Sequence, residues 1–223
     1  MRDDSFQRGI VKSLDTLQKE LQSYTPPTVV FPPFETLLPP RKTLLQKLLR
    51  QEPSPPPKTQ IPENMPKGLY LYGDVGSGKT MLMDMFYNTL PPNIHSKTRI
   101  HFHHFMQDVH KRLQKLKLQH GPDFDAIPHV GADIASNAAV LCFDEFQCTD
   151  VADAMILRRL LTSLIGHGVL LVATSNRHPT DLYKNGIQRE SFIPCIELLQ
   201  SSLHVINLDS PTDYRQISRR APS

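Results

Sequence analysis

LYLYGDVGSGKTMLMDMF, residues 69–86, decides the fold. A run of apolar residues stops at a glycine loop, and the loop runs straight into a lysine, a threonine and a helix-like pattern. Within it, GDVGSGKT fits G-x-x-x-x-G-K-[ST] in full. The loop is Gly73, Asp74, Val75, Gly76, Ser77, Gly78, Lys79 and Thr80. Its glycines let the backbone curl so that successive N–H groups point inward at phosphate oxygens. Lys79 adds a point charge, and the helix that starts there adds its positive end. The Thr80 hydroxyl is placed to ligate Mg²⁺. Strand, loop and helix in that order predict a site for the phosphates of ATP rather than a plain glycine turn.

Working outward, residues 67–209 alternate in type. Candidate strands are 68–72, 98–103, 139–143, 169–174 and 203–208, with helical patterns at 79–89, 104–118, 150–165 and, in broken pieces, 179–200. Short, continuously apolar strands alternating with helices predict an α/β fold, a five-stranded parallel sheet flanked by helices. The second helix places Phe105, Val109, Leu113 and Leu116 on one face with lysines opposite. Upstream, residues 5–24 space Phe6, Ile10, Leu14, Leu17 and Leu21 as an amphipathic helix. From Thr25 to Pro66, 12 of 42 residues are proline, which favours extended backbone. RKTLLQKLLRQE inside that tract suits one short helix. The division expected is an arm or linker over 1–66, a nucleotide-binding core over 67–209 and a tail over 210–223.

Composition limits the function classes. The chain has 223 residues and a formal net charge of +3, too mild to argue for nucleic acid or membrane. Three cysteines without CxxC spacing indicate neither a disulfide framework nor a zinc site. No apolar run approaches the roughly 18–20 residues of a membrane span. The opening MRDDSFQRGIVKSL reads as neither a secretory signal nor a good transit peptide. Residues 95–120 hold six Lys/Arg, one acid and six of the ten histidines. Lys111–Lys117 could track a nucleic-acid backbone, although lysines on an amphipathic helix usually form a solvated face. His101 and His103 share a face of the expected strand, with His104 opposite, a poor metal set without a Cys or acid. Phe105 and Met106 suit either core packing or a loop that grips a threaded polypeptide; helical spacing with Val109 favours the core.

Two more strand ends carry candidate chemistry. In AVLCFDEF, Asp144 ends a buried strand and is placed to hold Mg²⁺. Glu145, a second carboxylate, can orient and deprotonate an attacking water, which means hydrolysis rather than transfer to a hydroxyl. In LLVATSNR, Asn176 stands at another strand edge, where it can bond the γ-phosphate or the attacking water. Strand 98–103 lies in sequence between the loop strand and the Asp144 strand. If it also sits between them in the sheet, Glu145 and Asn176 line the same crevice as the loop. Arg189 follows Asn176 by 13 residues, beyond HPTDLYKNG. That spacing puts it away from its own phosphates, available to a neighbour's γ-phosphate. Its alternatives are a surface pair with Glu190 or Asp181, and Arg177 is the rival finger.

GLYLYGDVGSGKTMLMDMFY, HFHHFMQDVHKR, VLCFDEFQCTDVADAMILRRL, ATSNRHPTDLYKNGIQRESFIP and LDSPTDYR occur in that order. Together they resemble the AFG-like AAA+ ATPases, also called lactation elevated proteins, with ZapE as the bacterial member. The resemblance covers about residues 66–215, and weakly the arm. It implies a P-loop NTPase of the AAA+ type that hydrolyses ATP with Mg²⁺ and forms homo-oligomeric rings. It implies a mitochondrial setting in eukaryotes, with the cytoplasm as the alternative, and protein substrates among respiratory-chain subunits. By position it assigns Gly73–Thr80 to phosphate, Asp144 and Glu145 to metal and water, Asn176 to the first sensor and Arg189 to the arginine finger. Members normally follow the fifth strand with a helical lid. Here only about 15 residues follow Leu208, so Arg219 and Arg220 come too soon for one and a chain lacking the lid is expected. The other functions open to this sequence are a nucleic-acid-associated ATPase of the helicase-loader type and a nucleotide-binding adapter with little turnover.

Overall fold

The structure, a computed structural model, describes residues 5–38, 61–62 and 64–209, with side chains from residue 9 onward. The described elements are α1 (Ser5–Ser23), α2 (Phe34–Leu37), β1 (Gly68–Tyr72), α3 (Lys79–Asn88), β2 (Lys97–His101) and α4 (Phe102–His120). They continue with α5 (Ile127–Asn137), β3 (Val140–Asp144), α6 (Val151–Gly166), β4 (Leu170–Ser175), α7 (Arg189–Ser202) and β5 (Leu203–Asn207). The strands form one sheet in the order β2-β3-β4-β1-β5, every pairing parallel. The α/β class and the five parallel strands are those expected.

Alternation along each strand splits the core in two. Leu69 and Leu71 of β1, Val140 and Cys142 of β3, and Leu170 and Val172 of β4 face one cluster, which α3 completes with Leu82, Met83 and Phe86. Tyr70, Leu141, Phe143, Leu171 and Ala173 face the other, filled from α4, α5, α6 and α7. Phe105 and Met106 lie in that second cluster, 4% and 1% exposed, so they are core residues.

Three expectations are corrected. First, β2 lies at the sheet edge, and β4 is the strand between β1 and β3. The condition placed on strand 98–103 is not met, but β4 meets it. Second, β2 ends at His101. Phe102 packs on Phe143 and Phe146 with centroids 5.6 and 4.3 Å away and opens a helix, so His103 and His104 stand on its first turn. Third, α5 has no counterpart in the sequence reading. Its buried face includes Val130, Gly131, Ile134 and Ala135, and its Pro128 and Gly131 read in the sequence as breakers. A Cβ on Gly131 would stand 2.2 Å from Ser163 Oγ, so glycine lets α5 and α6 approach closely.

The 1–66 segment is in close contact with the 67–209 core where it is described. Ile10, Leu14, Leu17 and Leu21 of α1 are buried in the α3-side cluster. Asn93 Nδ2 donates to the carbonyls of Leu21 and Tyr24 at 2.8 and 3.1 Å, and Tyr24 Oη donates to Gly168 O at 2.6 Å. Leu37 of α2 is buried, and its carbonyl accepts from Asp125 N–H at 2.8 Å. The short helix expected over 41–52 and the 210–223 tail, with Arg219 and Arg220, lie outside the described residues. Among the described residues no helix is long and apolar enough to cross a membrane.

Candidate nucleotide site

The site forms where β1, β4 and β3, adjacent in that order, end on one side of the sheet. From β1 the chain enters Gly73–Gly78 and then α3, which begins at Lys79. Gly76 and Gly78 have φ of 85° and 89°, a region costly for any residue with a Cβ. The two left-handed turns curl the loop over the first turn of α3. Lys79 Nζ lies inside the curl and donates to Gly73 O at 2.5 Å and Asp74 O at 2.7 Å, with Ser77 Oγ 3.4 Å away. Burial lowers the Lys79 pKa, while the charges of Asp209 and Asp74 work the other way. The Asp74 N–H donates to a carboxylate, Asp209 Oδ1, at 2.8 Å. A loop amide that already bonds an anionic oxygen beside a lysine has the donor set a phosphate requires.

Asp144 ends β3 and Glu145 follows in a left-handed conformation, φ 54°. A non-glycine residue in that region persists only where its surroundings hold it. Here the Glu145 N–H donates to Thr174 Oγ1 at 3.3 Å and the Phe146 N–H to Thr174 O at 2.7 Å. Phe146, 1% exposed, anchors the turn from below against Tyr70, Phe102 and Phe143. The turn leaves the Glu145 side chain exposed at the sheet's carboxyl edge.

Ser175, 2% exposed, joins the loops. Its hydroxyl donates to Phe146 O at 2.7 Å and accepts from Arg177 N–H at 3.2 Å, while its carbonyl accepts from Gly73 N–H at 3.2 Å. Asn176 follows at once and is exposed between the ends of β1 and β3. Tyr70 Oη, its pKa raised by burial, donates to Arg177 O at 3.0 Å. The Gly73–Thr80 loop, the turn after Asp144 and the loop that carries Asn176 therefore meet at one hydrogen-bonded edge.

Thr80 and Asp144 supply hard oxygen donors of the kind Mg²⁺ takes. Arg99 of β2 shows how near Asp144 comes to α3. It donates from Nε to Asp144 Oδ2 at 2.7 Å and from Nη2 to Asp144 Oδ1 at 3.3 Å, and its Nη1 bonds Asp84. Asp84 stands one helical turn beyond Thr80 on the same face of α3. One guanidinium thus spans from the end of β3 to the helix that carries Thr80.

Arg189 opens α7 and turns back on its own domain, Nη2 donating to Thr180 O at 2.6 Å. Its Nε is buried without a hydrogen-bond partner among the described residues. Neither Glu190 nor Asp181 is joined to it by an ion pair among the described residues. Asp181 pairs with Lys184.

Sequence reasoning missed Arg99, Asp209, Thr174 and Ser175. Asp209 stood inside the quoted LDSPTDYR, and Thr174 and Ser175 inside LLVATSNR, so position offered a signal for those three. Arg99 offered only a charge in an edge strand.

A family model described as AFG1-like ATPase matches residues 1–223. The chain belongs to that family. The chain is 49% identical over 225 residues to an uncharacterised Schizosaccharomyces pombe protein, covering 97% of this chain and 49% of that one. It is 38% identical over 213 residues to the cell division protein ZapE of Escherichia coli K12, covering 95% and 52%. The chain thus spans about half the length of these two curated relatives. A crystal structure of DnaI superposes with a TM-score of 0.56 at 15% identity, covering 93% of this chain and 87% of that one. That likeness shows the P-loop NTPase fold.

Proposed function

We propose that this AFG1-like chain binds Mg²⁺·ATP at Gly73–Thr80 and hydrolyses it, as the ATPase part of a protein-remodelling machine. The observation that carries the reading is the shared edge, where Ser175 hydrogen-bonds to the phosphate loop, the Asp144–Glu145 turn and the Asn176 loop at once. In this reading Lys79 and the loop amides hold the phosphates, and Thr80 and Asp144 hold Mg²⁺, which supplies charge neutralisation on the phosphates. Glu145 takes the proton of the attacking water, and Asn176 orients it. Arg189 leaves Thr180 to serve the site of a second copy, which makes turnover depend on assembly.

Protein substrates, respiratory-chain subunits among them, and a mitochondrial setting rest on the family resemblance. The nucleic-acid reading is weakened by Arg112 in the basic stretch, which pairs with Asp108 and Asp133. Phosphate release measured across protein concentration tests the proposal. Wild type is expected to release phosphate, and Glu145→Gln to retain nucleotide while losing roughly 10²–10⁴ in rate, the usual worth of a general base. Parallel loss of binding and turnover would instead place Glu145 in the nucleotide-binding shell or in folding.

A further inference from the structure

Arg99 ties β2 to β3 and α3 through two carboxylates, a costly place for a charge. It lies on an edge strand with its side chain 22% exposed, pointing to the α3 side of the sheet, where Cys142 is its register partner and lies fully buried. Removing a guanidinium from water is costly, and an apolar residue of similar volume commonly serves a strand as well or better. The cost is met by two carboxylates, Asp144 on β3 and Asp84 on α3. The Asp144 interaction is a fork, with one N–H on each carboxylate oxygen. Such a fork fixes the carboxylate plane as a single lysine contact cannot. Each carboxylate oxygen keeps a further lone-pair site, so the fork orients Asp144 without filling it.

We infer that Arg99 is a positioning residue that sets the orientation of Asp144 and tempers its attraction for Mg²⁺, and that Asp84 tunes this effect by sharing the guanidinium. The inference rests on the proposed reading of Asp144 as a metal carboxylate. Its physical content is a competition of charges. Arg99 offsets the carboxylate that a dication would use, and Asp84 draws part of that positive charge toward α3. Loss of the cation should therefore strengthen Mg²⁺ binding, while loss of Asp84 leaves Arg99 wholly to Asp144 and should weaken it.

The test is the ratio of affinities for a fluorescent ATP analogue with excess EDTA and with excess Mg²⁺, which removes any effect on metal-free nucleotide. Arg99→Gln is expected to raise the metal-dependent gain about tenfold, and Asp84→Asn to lower it by a similar factor, as one unit charge acting at close range in a half-exposed site would do. Thermal melts confirm that each variant is folded. Should Arg99→Gln not fold, Asp84→Asn alone decides, since an unchanged or increased gain overturns the inference. Shifts of the same sign in both variants, or none, overturn it while leaving the nucleotide site intact. Wild type that binds the analogue in neither condition refutes the nucleotide reading itself, and the inference with it.

Discussion

Asp209→Asn isolates charge from hydrogen bonding at the mouth of the phosphate loop. Asp209 Oδ1 accepts the Asp74 N–H at 2.8 Å, and asparagine can keep that oxygen in place while the negative charge is lost. A phosphate held by the loop amides would lie close to this carboxylate and repel it. At a separation of about 6 Å and an effective dielectric of about 40, suited to an exposed site, one pair of unit charges costs about 1.4 kcal/mol, close to tenfold in affinity. Asp209→Asn should therefore bind ATP roughly tenfold more tightly at low salt, with the gain shrinking as salt screens the repulsion. The sign of the pH effect follows from Lys79. Asp209 helps keep its pKa up against burial, so without Asp209 the lysine loses its proton at lower pH. The affinity gain should fade toward alkaline pH. Titration of a fluorescent ATP analogue at two ionic strengths and several pH values measures all three effects. Unchanged or weaker affinity for Asp209→Asn at low salt would refute the placement of phosphate beside this carboxylate.

Leu21→Ala tests whether α1 belongs to the core. Leu21 is fully buried, and such truncations cost about 2–5 kcal/mol, visible in the urea midpoint; an unchanged midpoint would mean that α1 is dispensable. Arg189→Ala should flatten the dependence of turnover on protein concentration and lower the rate by roughly 10³ or more with ATP affinity kept, and lysine should rescue poorly. Mixed Arg189→Ala and Glu145→Gln proteins should recover activity that neither has alone. No recovery despite co-assembly would shift the finger role to Arg177.

The strands were legible because most are short apolar runs, and all five begin within one residue of where they were expected. The loop from β1 to α3 was legible because glycine, lysine and threonine at fixed offsets have a chemical reason to occur together. Strand order was not, because sequence proximity says nothing about which strand occupies the middle of a sheet; β2 went to the edge and β4 between β1 and β3. Helix α5 was missed although Ile127, Val130 and Ile134 recur at helical spacing, because Pro128 and Gly131 within it read as breakers. Asp144 and Glu145 could be named from their place at a strand end, but Arg99 could not. Its meaning depends on a contact 45 residues away in the chain, and only the sheet brings the two together.

The central claim is that Gly73–Thr80 holds the nucleotide, and the most direct measurement is equilibrium binding of a fluorescent ATP analogue to wild type and to Lys79→Ala. Wild type should bind saturably, with ATP competing. Lys79→Ala, which removes the loop's only cationic side chain while leaving the fold intact by circular dichroism, should not bind detectably. Binding of the folded Lys79→Ala protein with unchanged affinity would contradict the account.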